Sequence, residues 1–179
     1  IGLVLLGGIR SIGRTAGILV PFMIVFYLVA GIAIMILNLD LIPAAVGLIF
    51  TDAFTGNAVA GGALGTVIRM GVARGLFSNE AGLGTGGIAA AAAKTDVPAR
   101  QALISMTQVF IDTIIVCSIT GITLVMADMY TTGVEGAALT AQSFEFFLPG
   151  VGNYVVAITL LVFIFSTILG WGYFGEKCF

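Results

Sequence analysis

The sequence predicts an all-α polytopic membrane protein with about four spanning helices, one of them discontinuous. Of the 179 residues, 59% are hydrophobic and 9% are charged, and the mean hydropathy is +1.16. A soluble domain carries about a quarter charged residues, so this chain cannot cover a water-facing surface of ordinary size. Apolar runs of roughly 20 residues, the length that a spanning helix needs, recur along it. We therefore expect one transmembrane domain over residues 1–179, in a multi-pass protein of the cell membrane.

The composition also excludes several kinds of site. The seven basic residues are scattered along the chain, so no patch for binding nucleic acid is expected. Histidine, the commonest metal ligand and proton carrier, does not occur. Cys117 and Cys178 lie in or beside apolar runs, where free thiols are expected. Because the chain starts at Ile1 and stops at Phe179, just past an apolar run, we expect a fragment of a longer protein.

Three spans and the charges between them give a predicted topology. The spans cover residues 15–37, 102–126 and 152–174. Residues 94–100 contain two basic residues, whereas residues 127–150 contain acidic residues and no Lys or Arg. Cytoplasmic loops are enriched in Lys and Arg. We therefore predict that residues 94–100 are cytoplasmic and that residues 127–150 lie outside.

Residues 41–93 must then begin outside and end in the cytoplasm, and they are too long for one plain helix. We predict an apolar segment over residues 42–60, either re-entrant or packed near the outer face. A broken helix over residues 62–93 follows, interrupted at residues 78–82. A discontinuous helix in a polytopic protein points to a substrate site near the middle of the membrane.

The interruption contains an Asn79-Glu80 pair, and the stretch around it, residues 75–94, contains five glycines. Glycine lets the backbone leave the helix and offer bare N–H and C=O groups to a ligand. N–H groups after Gly82 suit a carboxylate, and carbonyl groups before Ser78 suit a cation or an ammonium group. A zwitterionic amino acid fits both. The alternative is a kinked helix whose end is simply capped by Asn79 and Glu80.

Two further sets of polar side chains lie within predicted spans. Ser105, Gln108 and Asp112 recur at helical spacing, so they share one face. A carboxylate at this depth must face protein or water, and Gln108 with Asp112 either orders the helix bundle or forms a polar relay for an ion or proton.

In the last span, Ser166 and Thr167 could coordinate sodium through their hydroxyl oxygens, because hard cations prefer oxygen ligands. Alternatively, these hydroxyls bond back to carbonyls of their own helix. Trp171, one turn beyond, could line a small site or belong to the aromatic belt at the inner interface.

Three stretches together resemble the alanine or glycine:cation symporter family, also called the sodium:alanine symporters. They are Arg74-Gly-Leu-Phe-Ser-Asn-Glu-Ala-Gly-Leu-Gly84, residues 89–95 and Phe165-Ser-Thr-Ile-Leu-Gly-Trp171. The resemblance implies part of a leucine-transporter-type inverted-repeat bundle, in which the four crossings correspond to the fifth to eighth of ten core helices. It implies that the broken helix contributes these residues to the substrate site: Ser78, Asn79, Glu80, Ala81 and Gly82. It also implies a sodium site at Ser166 and Thr167, with Trp171 near the substrate.

The function that this resemblance implies is sodium-coupled symport of small neutral amino acids, alanine or glycine, by alternating access. Sodium would be co-transported, no organic cofactor would be needed, and the missing N-terminal helices of the same carrier would complete the site. The alternative is an ion or solute channel with a Gly-rich filter. A membrane enzyme using Glu80 or Asp112 is disfavoured, because the sequence has no histidine and no evident nucleophile–base pair. We therefore expect a transporter and not an enzyme.

Overall fold

The computed structural model describes residues 1–54, 64–80 and 82–179, and within these ranges it contains helices and connecting turns but no strand. The prediction of an all-helical chain is therefore confirmed for this part of the molecule. In chain order the described α-helices are α1 (Gly2–Leu6), α2 (Gly8–Leu37), α3 (Ile42–Phe54), α4 (Leu64–Ser78), α5 (Thr85–Ala91), α6 (Pro98–Val109), α7 (Cys117–Ala127), α8 (Gly136–Phe147) and α9 (Gly152–Cys178). A π-helical turn, Phe110–Val116, joins α6 to α7, and a 3₁₀ turn, Met129–Thr132, follows α7.

Three helical segments among the described residues are long and apolar enough to cross a membrane. They are Gly8–Leu37, Pro98–Ala127 and Gly152–Cys178, with 30, 30 and 27 residues. The second consists of α6, the π-turn and α7 in one continuous run. At 15 and 7 residues, α4 and α5 are each too short to span on their own. The fourth, discontinuous crossing remains a prediction.

Two element boundaries differ from the sequence-based prediction. The first long helix begins at Gly8 and not near residue 15, so Arg10 and Arg14 lie within its first two turns. The predicted outer loop, residues 127–150, contains α8. This helix forms because it buries Phe144, with 0% exposure, against α2 and α9. Of the predicted apolar segment 42–60, α3 covers the first part, and residues 55–60 lie outside the described ranges.

Two buried clusters hold the long helices together. The first lies between α2, α8 and α9, where the Tyr27 and Phe144 rings stack with centroids 5.3 Å apart. The second joins α2 to α9 through Ile12, Leu169 and Tyr173, and Ile88 of α5 packs against it. The second cluster therefore fixes the helix that follows the predicted interruption.

Much of the apolar surface remains uncovered by the described residues. Within an apolar 18-residue stretch of each long segment, only 28%, 11% and 17% of the residues, in chain order, are buried. Leu103 on α6 and Leu161 on α9 are 64% and 69% exposed. In water such faces would be unstable, whereas lipid tails or further helices cover them at no such cost.

Glu145 and Gly152 define a tight corner between α8 and α9. The Glu145 carboxylate accepts hydrogen bonds from the backbone N–H groups of Gly150 (2.6 Å), just before α9, and Asn153 (2.9 Å), in its first turn. A Cβ atom at Gly152 would overlap the backbone of Phe144 and Glu145. The corner therefore depends on a carboxylate at one position and on the absence of a side chain at the other.

Candidate functional site

The chain leaves helical geometry between α4 and α5, at residues 79–80 and 82–84, compared with the predicted 78–82. Glu80 (φ 53°), Gly82 (φ 81°) and Gly84 (φ 81°) have a left-handed backbone. Glycine adopts this conformation freely, whereas at a non-glycine residue such as Glu80 it costs on the order of 1–3 kcal/mol. Ala81, one of the predicted substrate-binding residues, lies outside the described residues. We call residues 79–84 the break.

Ser78, the last residue of α4, is linked to the second long spanning segment. Its Oγ donates a hydrogen bond of 2.6 Å to Oδ2 of Asp112. The link joins two predicted site residues whose relation the sequence did not reveal.

Asn79 is held at two points. Its Nδ2 donates to the carbonyl oxygen of Gly75 (3.0 Å) and to Oγ1 of Thr113 (2.9 Å), and Thr113 Oγ1 also lies 3.2 Å from Asn79 Oδ1. The bond to Gly75 caps the end of α4, as in the capping alternative. The contact with Thr113 goes further, because it joins the break to another helix 34 residues away.

Glu80 spans the break itself. Its Oε2 accepts a 2.8 Å hydrogen bond from Oγ1 of Thr85, the first residue of α5. The Glu80 side chain is partly buried. A carboxylate has about four acceptor positions, so Glu80 can still accept from a further donor or contact a cation.

Thr113 is a site residue that the sequence analysis missed. On an ideal α-helix Ser105, Gln108 and Asp112 share one face. The next residue, Thr113, would lie about 100° around the helix from Asp112. Residues 110–116 form a π-turn, and within it both Asp112 and Thr113 contact the end of α4 and the residue that follows it. No hydrophobic periodicity in the sequence marks this turn.

The predicted polar face is divided at the π-turn. Gln108 lies before it and is exposed. Thr120 lies beyond it and shares a 2.6 Å hydrogen bond with the Tyr27 hydroxyl of α2. Among the described residues, Gln108 makes no side-chain hydrogen bond to Asp112, so the Gln108–Asp112 relay remains a prediction.

The predicted sodium ligands lie on α9, apart from these contacts. Ser166 Oγ donates to the carbonyl oxygen of Phe163 at 2.9 Å, and Thr167 is exposed. Trp171 is 44% exposed and packs edge-to-face on Phe174, with ring centroids 5.9 Å apart. Among the described residues, α9 instead meets α5, the helix that follows the break, at Ile88.

Comparisons with known proteins give the family. The profile of the sodium:alanine symporter family matches residues 1–179. A sodium/alanine symporter, AgcS, of Methanococcus maripaludis is 54% identical over 98% of this chain and 40% of its own length. A sodium/proton-dependent alanine carrier protein of Bacillus sp. strain PS3 is 37% identical over 98% of this chain and 43% of its own length. A probable sodium/glutamine symporter, GlnT, of Bacillus subtilis is 36% identical over 98% of this chain and 37% of its own length.

The chain thus spans about two fifths of the length of these relatives. The match covers the whole of this chain, including the break, the π-turn and α9. Together with the exposed apolar faces of the long helices, it indicates a multi-pass protein of the plasma membrane. The chain belongs to the sodium:alanine symporter family, which consists of transporters and not of enzymes.

Proposed function

We propose that the full-length protein containing this chain couples the uptake of small neutral amino acids, alanine or glycine, to sodium entry by alternating access. The observation that carries the proposal is the break at residues 79–84, attached to a second spanning segment through Asp112 and Thr113. Irregular backbone within a membrane is stable only where it is buried in protein or lines a cavity. A substrate site is the function that most readily accounts for such a segment.

The residues of the break offer the groups that an amino acid requires. Backbone N–H groups near Gly82 and Gly84 suit the substrate carboxylate, and the side chain of Glu80 and the last carbonyl groups of α4 suit its ammonium group. Ser78, Asn79 and Ala81 would complete this side of the pocket, with Trp171 limiting its size. A small pocket would exclude large side chains sterically, which favours alanine and glycine.

Ser166 and Thr167 are the proposed sodium ligands. Ser166 uses its hydroxyl proton in the bond to Phe163, and this leaves the oxygen lone pairs for a cation. The same hydrogen bond also satisfies a purely structural role, so the sodium role has to be tested by function. Sodium is a co-transported ion in this proposal, and no organic cofactor takes part.

The proposed fold is part of a leucine-transporter-type inverted repeat. In this arrangement α2, the α4–α5 pair, the α6–α7 segment and α9 correspond to the fifth to eighth core helices. Helices of the same carrier that precede this chain would supply the other half of both sites. Sodium would drive uptake by binding one conformation more tightly than the other, because a ligand shifts an equilibrium only through such a difference.

Uptake of radiolabelled alanine into proteoliposomes containing the full-length carrier tests this function. We expect accumulation that saturates with alanine and requires an inward sodium gradient. Uptake that does not depend on a sodium, lithium or proton gradient would exclude a symporter. Flux that does not saturate would favour a channel with a Gly-rich filter.

A further inference from the structure

We infer that Asp112 and Thr113 are positioning residues, which hold Ser78 and Asn79 in the geometry that the transport site requires. The inference rests on the proposed function, since it assigns two further residues to the same site. The sequence left two roles open for Asp112, ordering the helix bundle or relaying an ion or proton. We assign it one role, which is to act through Ser78. Thr113 acts in the same way through Asn79.

The pairing of the four residues carries the inference. Two consecutive residues at the end of α4 each meet one of two consecutive residues of the π-turn, and both pairs are separated by 34 positions. Ser78 and Asp112 are 2.6 Å apart, and Asn79 and Thr113 are 2.9 Å apart, between the hydrogen-bonded atoms. Two adjacent bonds of this kind fix both the position and the rotation of the end of α4, whereas one bond would leave it free to pivot.

Both contacts are made within the π-turn. Such turns are rare, and as single turns within α-helices they are frequent at functional sites. Here the turn covers Phe110–Val116, so Asp112 and Thr113 lie at its centre. The two contacts therefore coincide with the unusual helical geometry.

Each contact also restrains a group that a substrate would meet. Asp112 accepts the hydroxyl proton of Ser78, which directs the remaining lone pairs of that oxygen away from the π-turn. Thr113 and Gly75 engage the two N–H bonds of the Asn79 amide and thereby fix its plane. A free amide would have to be ordered when substrate binds, at a cost in affinity. Loss of Thr113 should therefore weaken substrate binding more than it slows transport.

Alanine uptake by the full-length carrier tests the role of Thr113. We expect Thr113→Val to raise the KM for alanine about tenfold while the maximal rate and the amount of protein in the membrane change little. Thr113→Ser keeps the hydroxyl and should restore most of the affinity. Thr107→Val is the matched control, because the Thr107 hydroxyl bonds only to Leu103 of its own helix. Equal KM values for Thr113→Val and Thr107→Val would overturn the inference, as would equal impairment by Val and Ser at position 113.

The role of Asp112 is tested by comparing Ala with Asn at that position. Asn keeps an acceptor oxygen for Ser78 but cannot carry a proton, so a positioning role predicts that Asp112→Asn restores uptake relative to Asp112→Ala with the same pH profile. A relay predicts that both variants lose uptake, and this result would refute positioning by Asp112.

A readout that does not depend on transport separates failure of this inference from failure of the proposed function. In a double-mutant cycle on the melting temperature in detergent, Asn79→Ala and Thr113→Val should be clearly non-additive if the side chains interact. Additive shifts would overturn the contact itself. A wild-type carrier without sodium-dependent uptake would refute the function, while the cycle would still report on the contact.

Discussion

At the corner between α8 and α9, a single carboxylate satisfies two backbone donors. The N–H groups of Asn153 and Gly150 donate to Glu145 and hold the pKa of its carboxyl group below the ordinary value. The group therefore contributes stability above its unfolded pKa of about 4.3. This contribution is lost as the pH falls through the lower, folded pKa.

Glu145→Gln should accordingly lower the melting temperature of the purified full-length carrier by a few degrees at pH 7. The variant should lose less stability than the wild type between pH 5 and pH 3, because it has no carboxylate to protonate at this corner. Glu135→Gln is the matched control, since Glu135 precedes α8 without a side-chain cap. Parallel pH profiles for Glu145→Gln and the wild type would contradict this account.

At the same scale, the candidate site could be predicted only in part. Ser78, Asn79 and Asp112 stand out in the sequence because polar groups at membrane depth are costly. Thr113, the partner of Asn79, does not stand out, because it is one hydroxyl among several in the spans and lies in a π-turn that no sequence pattern marks. Ser166 and Thr167 stay predictions, because a hydroxyl within a helix has a structural use whether or not a cation binds.

At the scale of helices, hydrophobic length was the reliable signal and local charge was not. The long apolar runs predicted three helices that are present, because a spanning segment must satisfy its own backbone hydrogen bonds. Acidic residues suggested a loop over residues 127–150, yet α8 forms there, since burial of Phe144 against Tyr27 outweighs the local polarity. Arg10 and Arg14 likewise do not end the helix that contains them.

The junction of α8 with α9 gives a prediction at this scale. Gly152→Ala should destabilise the protein by about 1–3 kcal/mol, because the added methyl group overlaps backbone atoms that cannot rotate away. Gly175→Ala in the same helix is the control: its methyl group meets open space, and alanine is the better helix former by about 1 kcal/mol. Thermal unfolding in detergent measures both. A Gly152→Ala protein as stable as Gly175→Ala would show that the two helices do not approach this closely.

At the scale of the whole molecule, the described residues form only part of a closed structure. Many apolar side chains of α2, α6 and α9 are exposed, and lipid or further helices of the carrier must cover them. An inverted repeat relates two halves of a carrier, and this chain spans about two fifths of the length of its relatives, so the repeat remains a proposal. Topology, by contrast, can be argued from the chain itself.

The segment Pro98–Ala127 contains 30 residues and is therefore about 45 Å long, against about 30 Å for the hydrocarbon core. We predict that its two ends lie on opposite sides, with residues 94–100, two of which are basic, in the cytoplasm. In a carrier lacking native cysteines, Thr132→Cys should react with a membrane-impermeant maleimide on intact cells, and Asp96→Cys only after permeabilisation. Both positions are exposed, so burial does not explain a difference. Labelling of both from one side would refute the crossing, and reversed labelling would refute the orientation.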